Sequence, residues 1–481
     1  MKKPNVVVLF SDQQRWDTLG CYGQKLPISP HLDRMAAEGV RFELAFTCQP
    51  VCGPVRASLQ TGKYPTQVGC EVNNRHLPLG ADTLARRMTL AGYKTGYIGK
   101  WHLASGPNRL DEGVAPNHRI LPVPREFRGG YDDWLAADTL EYTSHAYDGH
   151  MFDKDGNARF FKVNRYRVDA QTDWVEEYLE QQTQEEPFFL FASYIEPHHQ
   201  NDHRRYEGPQ GSRDRWSNYE IPGDLAGLPG DWVDNYPDYL GCCHALDRAV
   251  GRVRGKLKEL GMDENTVLIY TSDHGSHFKT RNGEYKRSCH DACLRVPMIF
   301  NGPGFRTGEV NRNLASLIDL PRTILSVAGG EVPEDWQGLD LRNAVGRTLA
   351  RDAVFAQISE SHAGRTIRTG KWKYAVALPG VDGQWVEQEH AGAVVYQEAF
   401  LYDLENDPHE RNNLVADPAR AEVRADLAVK LKAEMARAGE TIPEIKSQPV
   451  TMRKSGFHPQ GDGAGPARRG RAPAQLFDNE V

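Results

Sequence analysis

Five short apolar runs, separated by stretches of helical periodicity, constrain this chain to an α/β fold. The runs cover residues 6–10, 95–98, 188–195, 267–271 and 297–300. Their apolar character is nearly continuous rather than alternating, as expected of strands buried on both faces. Helical patterns occupy 30–38, the stretch after Cys52, 82–91, 168–182, 232–260 and 317–328. In the last of these Leu317, Leu320, Ile324, Leu325 and Ala328 fall on one helical face. Strands alternating with helices of this length predict a large, mainly parallel sheet sandwiched by helices.

In such a sheet, ligands bind outside the carboxyl ends of the strands. The 6–10 run ends in Ser11-Asp12-Gln13-Gln14, and the 267–271 run ends in Ser272-Asp273-His274-Gly275. Asp12 and Gln13 offer a carboxylate and an amide oxygen, hard donors suited to Ca²⁺ or Mg²⁺. Asp273 supplies a second carboxylate. Two other runs also lead into polar segments, Gly99-Lys100-Trp101-His102 and Glu196-Pro197-His198-His199. On an extended backbone Lys100 and His102 point to one side.

After residue 346 the pattern changes. Runs at 354–358, 372–377 and 400–404 read as strands joined by short turns, followed by a helix over 421–438. These predict a smaller antiparallel sheet with a packing helix. The division is therefore 1–345, 346–442 and a Pro/Gly/Arg-rich extension at 443–481. That extension is too poor in apolar residues to bury much surface. It reads as an irregular surface segment, with a contact between copies in a homo-oligomer as the alternative.

The 481 residues carry a formal net charge of −7, and charged residues make up 26%. A mildly acidic chain excludes a basic nucleic-acid-binding face. No stretch approaches the ~18 apolar residues of a membrane span. The first apolar run is shorter than the core of a secretory signal. The expected location is thus the cytoplasm, unless a leader has been removed. Eight cysteines, at 21, 48, 52, 70, 242, 243, 289 and 293, form neither a zinc pattern nor a disulfide framework.

The most specific segment is Cys52-Gly53-Pro54-Val55-Arg56-Ala57-Ser58-Leu59-Gln60-Thr61-Gly62, which fits C-x-P-x-R-x-x-x-x-T-G. It resembles the signature of type I sulfatases, members of the alkaline phosphatase superfamily. The resemblance extends from Asn5 to about Leu414 and implies an alkaline-phosphatase-like fold. In that family a maturation enzyme oxidises the cysteine to formylglycine. The hydrated aldehyde carries two hydroxyls on one carbon. One attacks the sulfur of a sulfate ester, and the second expels sulfate and restores the aldehyde, a covalent route in two easier steps. A serine would stop at its sulfate ester.

The resemblance also implies roles residue by residue. Asp12, Gln13, Asp273 and His274 fall at the two metal pairs, His274 either ligating the cation or contacting the bound ester. Lys100 and His102 fall in the family's G-K-W-H element and face the sulfate. His198 contacts the scissile ester oxygen. Lys286, shortly before Arg295-Val296-Pro297, is the second sulfate-facing cation. Arg56 folds back onto the formylglycine hydroxyls from a helix starting near Pro54, where its planar fork suits two oxygens. His199 and Asn201 read the leaving group.

These expectations describe an enzyme, a sulfuric ester hydrolase needing formylglycine at 52 and one divalent cation, Ca²⁺ before Mg²⁺ or Mn²⁺. Its substrate is a carbohydrate sulfate first and an aryl or alkyl sulfate second. Gln13 departs from the acidic pair many sulfatases carry. It is shared with a rival, the formylglycine-dependent phosphonate monoester hydrolases and phosphodiesterases, which generally lack the Lys100 and His102 equivalents. The remaining alternative is a non-catalytic sulfate- or glycan-binding protein in which Cys52 stays a thiol.

Overall fold

Strand β1 (Asn5–Ser11) is buried along its whole length and lies in the middle of a ten-stranded sheet. The computed structural model describes residues 2–111, 113–378 and 391–447. The sheet also contains β2 (Val40–Phe46), β3 (Lys94–Lys100), β4 (Asp133–Ala137), β5 (His150–Asp153), β6 (Ala158–Phe160), β7 (Phe188–Ser193), β8 (Thr266–Ser272), β9 (Met298–Asn301) and β10 (Glu309–Ser316). Their spatial order is β10-β2-β9-β8-β1-β7-β3-β4-β5-β6. Strands β8, β1, β7, β3 and β4 run parallel, with Val6 opposite both Val267 and Phe189. Strand β9 is antiparallel to β8 and β2, and β5 to β4, so the sheet is mixed at its flanks.

The period of two in β1 sorts its side chains between two cores. Val6, Val8 and Phe10 join one cluster, whereas Val7 and Leu9 join the other. On the second face lie α1 (Pro30–Glu38), α4 (Arg167–Glu180) and, beyond a short α5 (Ser212–Arg215), α6 (Trp232–Glu259). On the first lie α2 (Cys52–Thr61), α3 (Leu84–Leu90) and, after the one-turn α7 (Asp291–Leu294), α8 (Asp319–Val327). Both faces being covered by helices explains why the central strands read as continuous apolar runs. Among the described residues no helix is long and apolar enough to cross a membrane.

A five-stranded sheet follows, in the order β11 (Ala353–Ile358), β12 (Gly364–Thr369), β13 (Trp372–Ala377), β14 (Val395–Asp403), β15 (Glu444–Lys446). It is antiparallel through β14 and is packed by α9 (Ala421–Arg437). The start of the supposed irregular extension departs from expectation. Residues 444–446 pair in parallel with β14, because backbone hydrogen bonds at a sheet edge need no apolar run. Residues 448–481, the rest of that extension, lie outside the described residues.

Candidate active site

The four central strands β8, β1, β7 and β3 are neighbours, so their carboxyl ends open onto one edge. That edge receives Asp273-His274, Asp12-Gln13, the 196–201 segment and Lys100. Helix α2 begins there at Cys52, two residues earlier than expected, with Val51 as its extended cap. Cys52 is thus the first helical residue and is only 1% exposed.

The thiol is the meeting point of the site. Its Sγ lies 2.8 Å from Lys286 Nζ, 3.3 Å from Asp12 Oδ1 and 3.3 Å from His274 Nε2. Asp12 Oδ2 accepts from Lys100 Nζ at 2.7 Å and from Arg56 Nη2 at 2.9 Å. Arg56 is fixed by donating Nη1 to Lys100 O at 2.8 Å and Ser193 Oγ at 2.7 Å. Its guanidinium therefore points at Asp12 and the strand ends. Lys286 Nζ also approaches His274 Nε2 at 3.2 Å and His198 Nε2 at 3.5 Å. His102 approaches the Cys52 thiol closely enough to favour its ionised form. It does so from a left-handed residue, φ 61°, not from the extended backbone expected of it. The chain turns off β3 at this point, and its new path is held by His102 N donating to Asp138 O at 2.6 Å.

Arg56, Lys100 and Lys286 are all buried, against the two carboxylates of Asp12 and Asp273. Burial opposes ionisation of the Cys52 thiol, but Lys100, Lys286 and His274, with His102 nearby, hold it well below its ordinary pKa. Burial and the Cys52 charge oppose ionisation of Asp12, and Lys100, His198 and Arg56 outweigh them, so its pKa is lowered. Asp273 shifts the other way, up to about 7, through burial and then repulsion by Asp12. Burial, then Lys100 and Lys286, lower the pKa of His198 against the opposing pull of Asp12. Preorganised cations gathered around one reactive atom are suited to a reacting oxyanion.

The donors fit a hard divalent cation. Gln13 Oε1 and Asp273 Oδ2 are buried oxygens without a hydrogen-bond partner. Such atoms are costly unless something positive binds them. Asp12, Cys52, Asp273 and His274 place one donor atom each within 4.8 Å of one another. Gln13 adopts φ 71°, and its amide is oriented by Nε2 donating to Tyr206 Oη at 2.5 Å. That contact leaves the carbonyl oxygen as the open end. The oxygens match Ca²⁺ or Mg²⁺ preferences, whereas His274, whose Nε2 lies against Cys52, is a less typical partner for either.

His199 and Asn201 lie beside His198. His199 stacks on Tyr285 with ring centroids 5.2 Å apart, and its Nε2 is buried without a partner. The Asn201 amide is engaged inside the protein: Oδ1 accepts from Tyr285 Oη at 3.1 Å, and Nδ2 donates to Glu141 at 3.1 Å.

Sequence reasoning missed Asp138 and Glu141. Asp138 fixes the turn after His102, accepting from Ala104 N at 2.9 Å and Ser105 Oγ at 2.5 Å. Both follow β4, parallel to β3 and open onto the same edge. The strand-end rule would have found them had the short run at 133–137 been read as a strand. Tyr206 and Asn73, which accepts from Gly53 N at 2.9 Å, carried no signal in the sequence.

Comparisons with known proteins give the family and the fold of the chain. The chain is 27% identical over 472 residues to an ulvan-active sulfatase of Formosa agariphila, covering 95% of this chain and 85% of the relative. A solved sulfatase structure from Bacteroides fragilis superposes with a TM-score of 0.75 at 26% identity, covering 92% of this chain and 97% of the other. The phosphonate monoester hydrolase of Agrobacterium radiobacter shares the fold, with a TM-score of 0.69 at 23% identity over 90% of this chain and 96% of the other. A model of the Sulfatase family matches residues 4–330. The chain belongs to the sulfatase family, enzymes that hydrolyse sulfuric esters.

Proposed function

We propose that this sulfatase acts on a carbohydrate sulfate monoester, with Cys52 converted to formylglycine and one Ca²⁺ held by Asp12, Gln13 and Asp273. The observation that carries the reading is the placement of Cys52 at a helix start, with Lys286, Asp12 and His274 within 3.3 Å of its Sγ. Formylglycine hydrate supplies a nucleophilic oxygen and a second hydroxyl for releasing sulfate. The cation would supply positive charge between Asp12 and Asp273, whose mutual repulsion Lys100 and Arg56 offset only in part. Arg56, Lys100 and Lys286 balance the charge of the transferred group. His198, on the other side of Lys286, donates a proton to the departing ester oxygen. His102 takes up the proton released in the sulfate-expelling step.

Because Cys52 is buried, a maturation enzyme must reach it before the fold closes. Residues 1–345 form the catalytic unit, and the chain from 346 through β15 forms a supporting subdomain, in keeping with a family match that ends at residue 330. The carbohydrate reading draws on the relative named for ulvan. Gln13 favours a second reading, hydrolysis of phosphonate monoesters.

The test combines mass and kinetics. The peptide containing residue 52 should be lighter by about 18 Da, the exchange of CH₂SH for CHO. Cys52→Ala should abolish turnover while retaining the fold. On formylglycine-loaded enzyme, kcat/KM for an aryl sulfate should exceed that for the matched aryl phosphonate, and a panel of sulfated sugars should contain a better substrate still. A large preference for the phosphonate would make Gln13 the better guide and overturn the sulfatase reading.

A further inference from the structure

We infer that Glu141 is a positioning residue for the reaction, setting the ring of His198 and the amide of Asn201 with one buried carboxylate. The inference rests on the reading of His198 as the proton donor to the leaving group. Glu141 lies in the turn after β4 and is 7% exposed. Its Oε2 lies 3.3 Å from His198 Nδ1, close enough for an ion pair but misaligned for a hydrogen bond. Catalytic hydrogen bonds are often loose before substrate arrives and tighten afterwards. The opposite ring nitrogen, His198 Nε2, faces Lys286. A carboxylate at Nδ1 therefore selects the orientation in which Nε2 is turned to the reacting group, and it stabilises the doubly protonated ring.

The same carboxylate accepts from Asn201 Nδ2 through both oxygens, at 3.1 and 3.3 Å. Asn201 in turn anchors Tyr285 and His199 through its Oδ1. The Glu141 backbone carbonyl accepts from Gln200 Nε2 at 3.1 Å. Both ends of the residue thus hold the 198–201 segment. Lys100 feels the charge of this carboxylate, but the carboxylate's direct contacts are with His198 and Asn201. Its charge is directed at the histidine and the asparagine. An anion that only supported the fold would not need to sit against the proton donor.

The test uses the formylglycine-loaded enzyme and two sulfate esters of unequal leaving ability, an aryl sulfate and an alkyl or sugar sulfate. Proton donation matters most for the poorer leaving group. Glu141→Gln keeps the size and an acceptor for Asn201 but removes the charge. The kcat/KM ratio of aryl to alkyl ester should rise by about 10²-fold, within the usual range for general acid catalysis. The basic limb of the alkyl-ester pH profile should move to lower pH. His198→Ala should raise the same ratio, and the double variant should be no worse than His198→Ala alone. Glu141→Asp should recover part of the loss. Equal losses on both esters with an unmoved pH profile, or additive effects in the double variant, would overturn the role of Glu141. If Glu141→Gln does not fold, Glu141→Asp takes its place in the cycle with the same criteria. Failure of the wild-type enzyme to cleave either sulfate would instead overturn the functional reading beneath it.

Discussion

Gln13 shows what one residue does to this site. An acidic residue there would add a third carboxylate beside Asp12 and Asp273, whereas the amide adds an oxygen without charge. Without a cation the two carboxylates divide unequally, Asp12 ionised and Asp273 raised to about 7 by burial and by Asp12. An ordinary Asp titrates near 3.9. Between about pH 4 and 7, therefore, the folded cation-free protein holds a proton on Asp273 that the unfolded chain has released. This contribution to stability is present at low pH and lost as pH rises through that window. Ca²⁺ must displace the same proton, so it binds more tightly above about pH 7. The rise in Tm caused by a fixed excess of Ca²⁺ should be larger at pH 8 than at pH 5.5, and thermal melts at the two pH values with and without Ca²⁺ measure it. A larger rise at pH 5.5 would contradict the placement of the cation between these carboxylates. Asp12, Lys100, His198 and Asp273 were legible because each lies within three residues of the end of an apolar run, in segments that resemble the family's, and Cys52 because its motif has fixed spacing. The left-handed turn at His102, the Tyr206 contact to Gln13 and the Glu141 contacts were not, since each depends on a partner remote in sequence or on an unread strand.

At the scale of elements, the edge of β3 depends on a residue with no side chain. Gly99 has φ +114°, and a Cβ built on it would lie 1.9 Å from Ser193 O on β7 and 2.7 Å from Gln171 Nε2. Ser193 Oγ also holds Arg56, and Lys100 is the next residue. Gly99→Ala should cost about 2–4 kcal/mol, from overpacking and from the unfavourable φ. It should also lower kcat/KM about 10²-fold, the usual penalty for an ångström-scale misplacement of a catalytic group. Gly92→Ala is the control: φ is +83°, but nothing lies within 4 Å of the added carbon. It should lose only the conformational part and keep kcat/KM. Equal kinetics for the two variants, compared with their urea midpoints, would remove Gly99 from the account. The central strands and long helices were legible, α6 being expected at 232–260 and found at Trp232–Glu259. Strands β2, β6 and β10 were not: they lie toward the flanks of the sheet, where β2 and β10 mix buried with partly or fully exposed positions and all three residues of β6 are exposed. Strand β12, Gly-Arg-Thr-Ile-Arg-Thr, is almost wholly buried yet polar, and its Arg365 is matched by Glu440 at 2.7 Å.

At the scale of the whole molecule, the smaller sheet braces the catalytic edge. Glu360, just past β11, pairs with Arg287 beside Lys286 at 2.5 Å and accepts from Asn73 N, whose side chain holds Gly53 at the start of α2. Ser359 Oγ accepts from Gln49 Nε2 at 2.6 Å in the segment leading into α2. The two sheets share an apolar cluster that includes Phe46, Leu294 and Leu314 on one side and Val354, Phe400 and Tyr402 on the other. Within this interface Lys373 of β13 is fully buried between Asp291 of α7 and Glu410. Breaking a buried ion pair from one side commonly costs about 3–5 kcal/mol, because the remaining charge stays desolvated. Lys373→Met leaves the two carboxylates facing each other, with Asp291 keeping an ion pair to Arg368 at 3.6 Å, so its urea unfolding free energy should fall by about that amount. Adding Asp291→Asn and Glu410→Gln to Lys373→Met removes the stranded charges and should recover most of the loss, as neutral replacements of buried ionic groups often do. A Lys373→Met protein within about 1 kcal/mol of wild type, below the ordinary cost of a disturbed core site, would mean that the interface is held by its apolar cluster alone. The brace on α2 and Lys286 would then be independent of the ionic network.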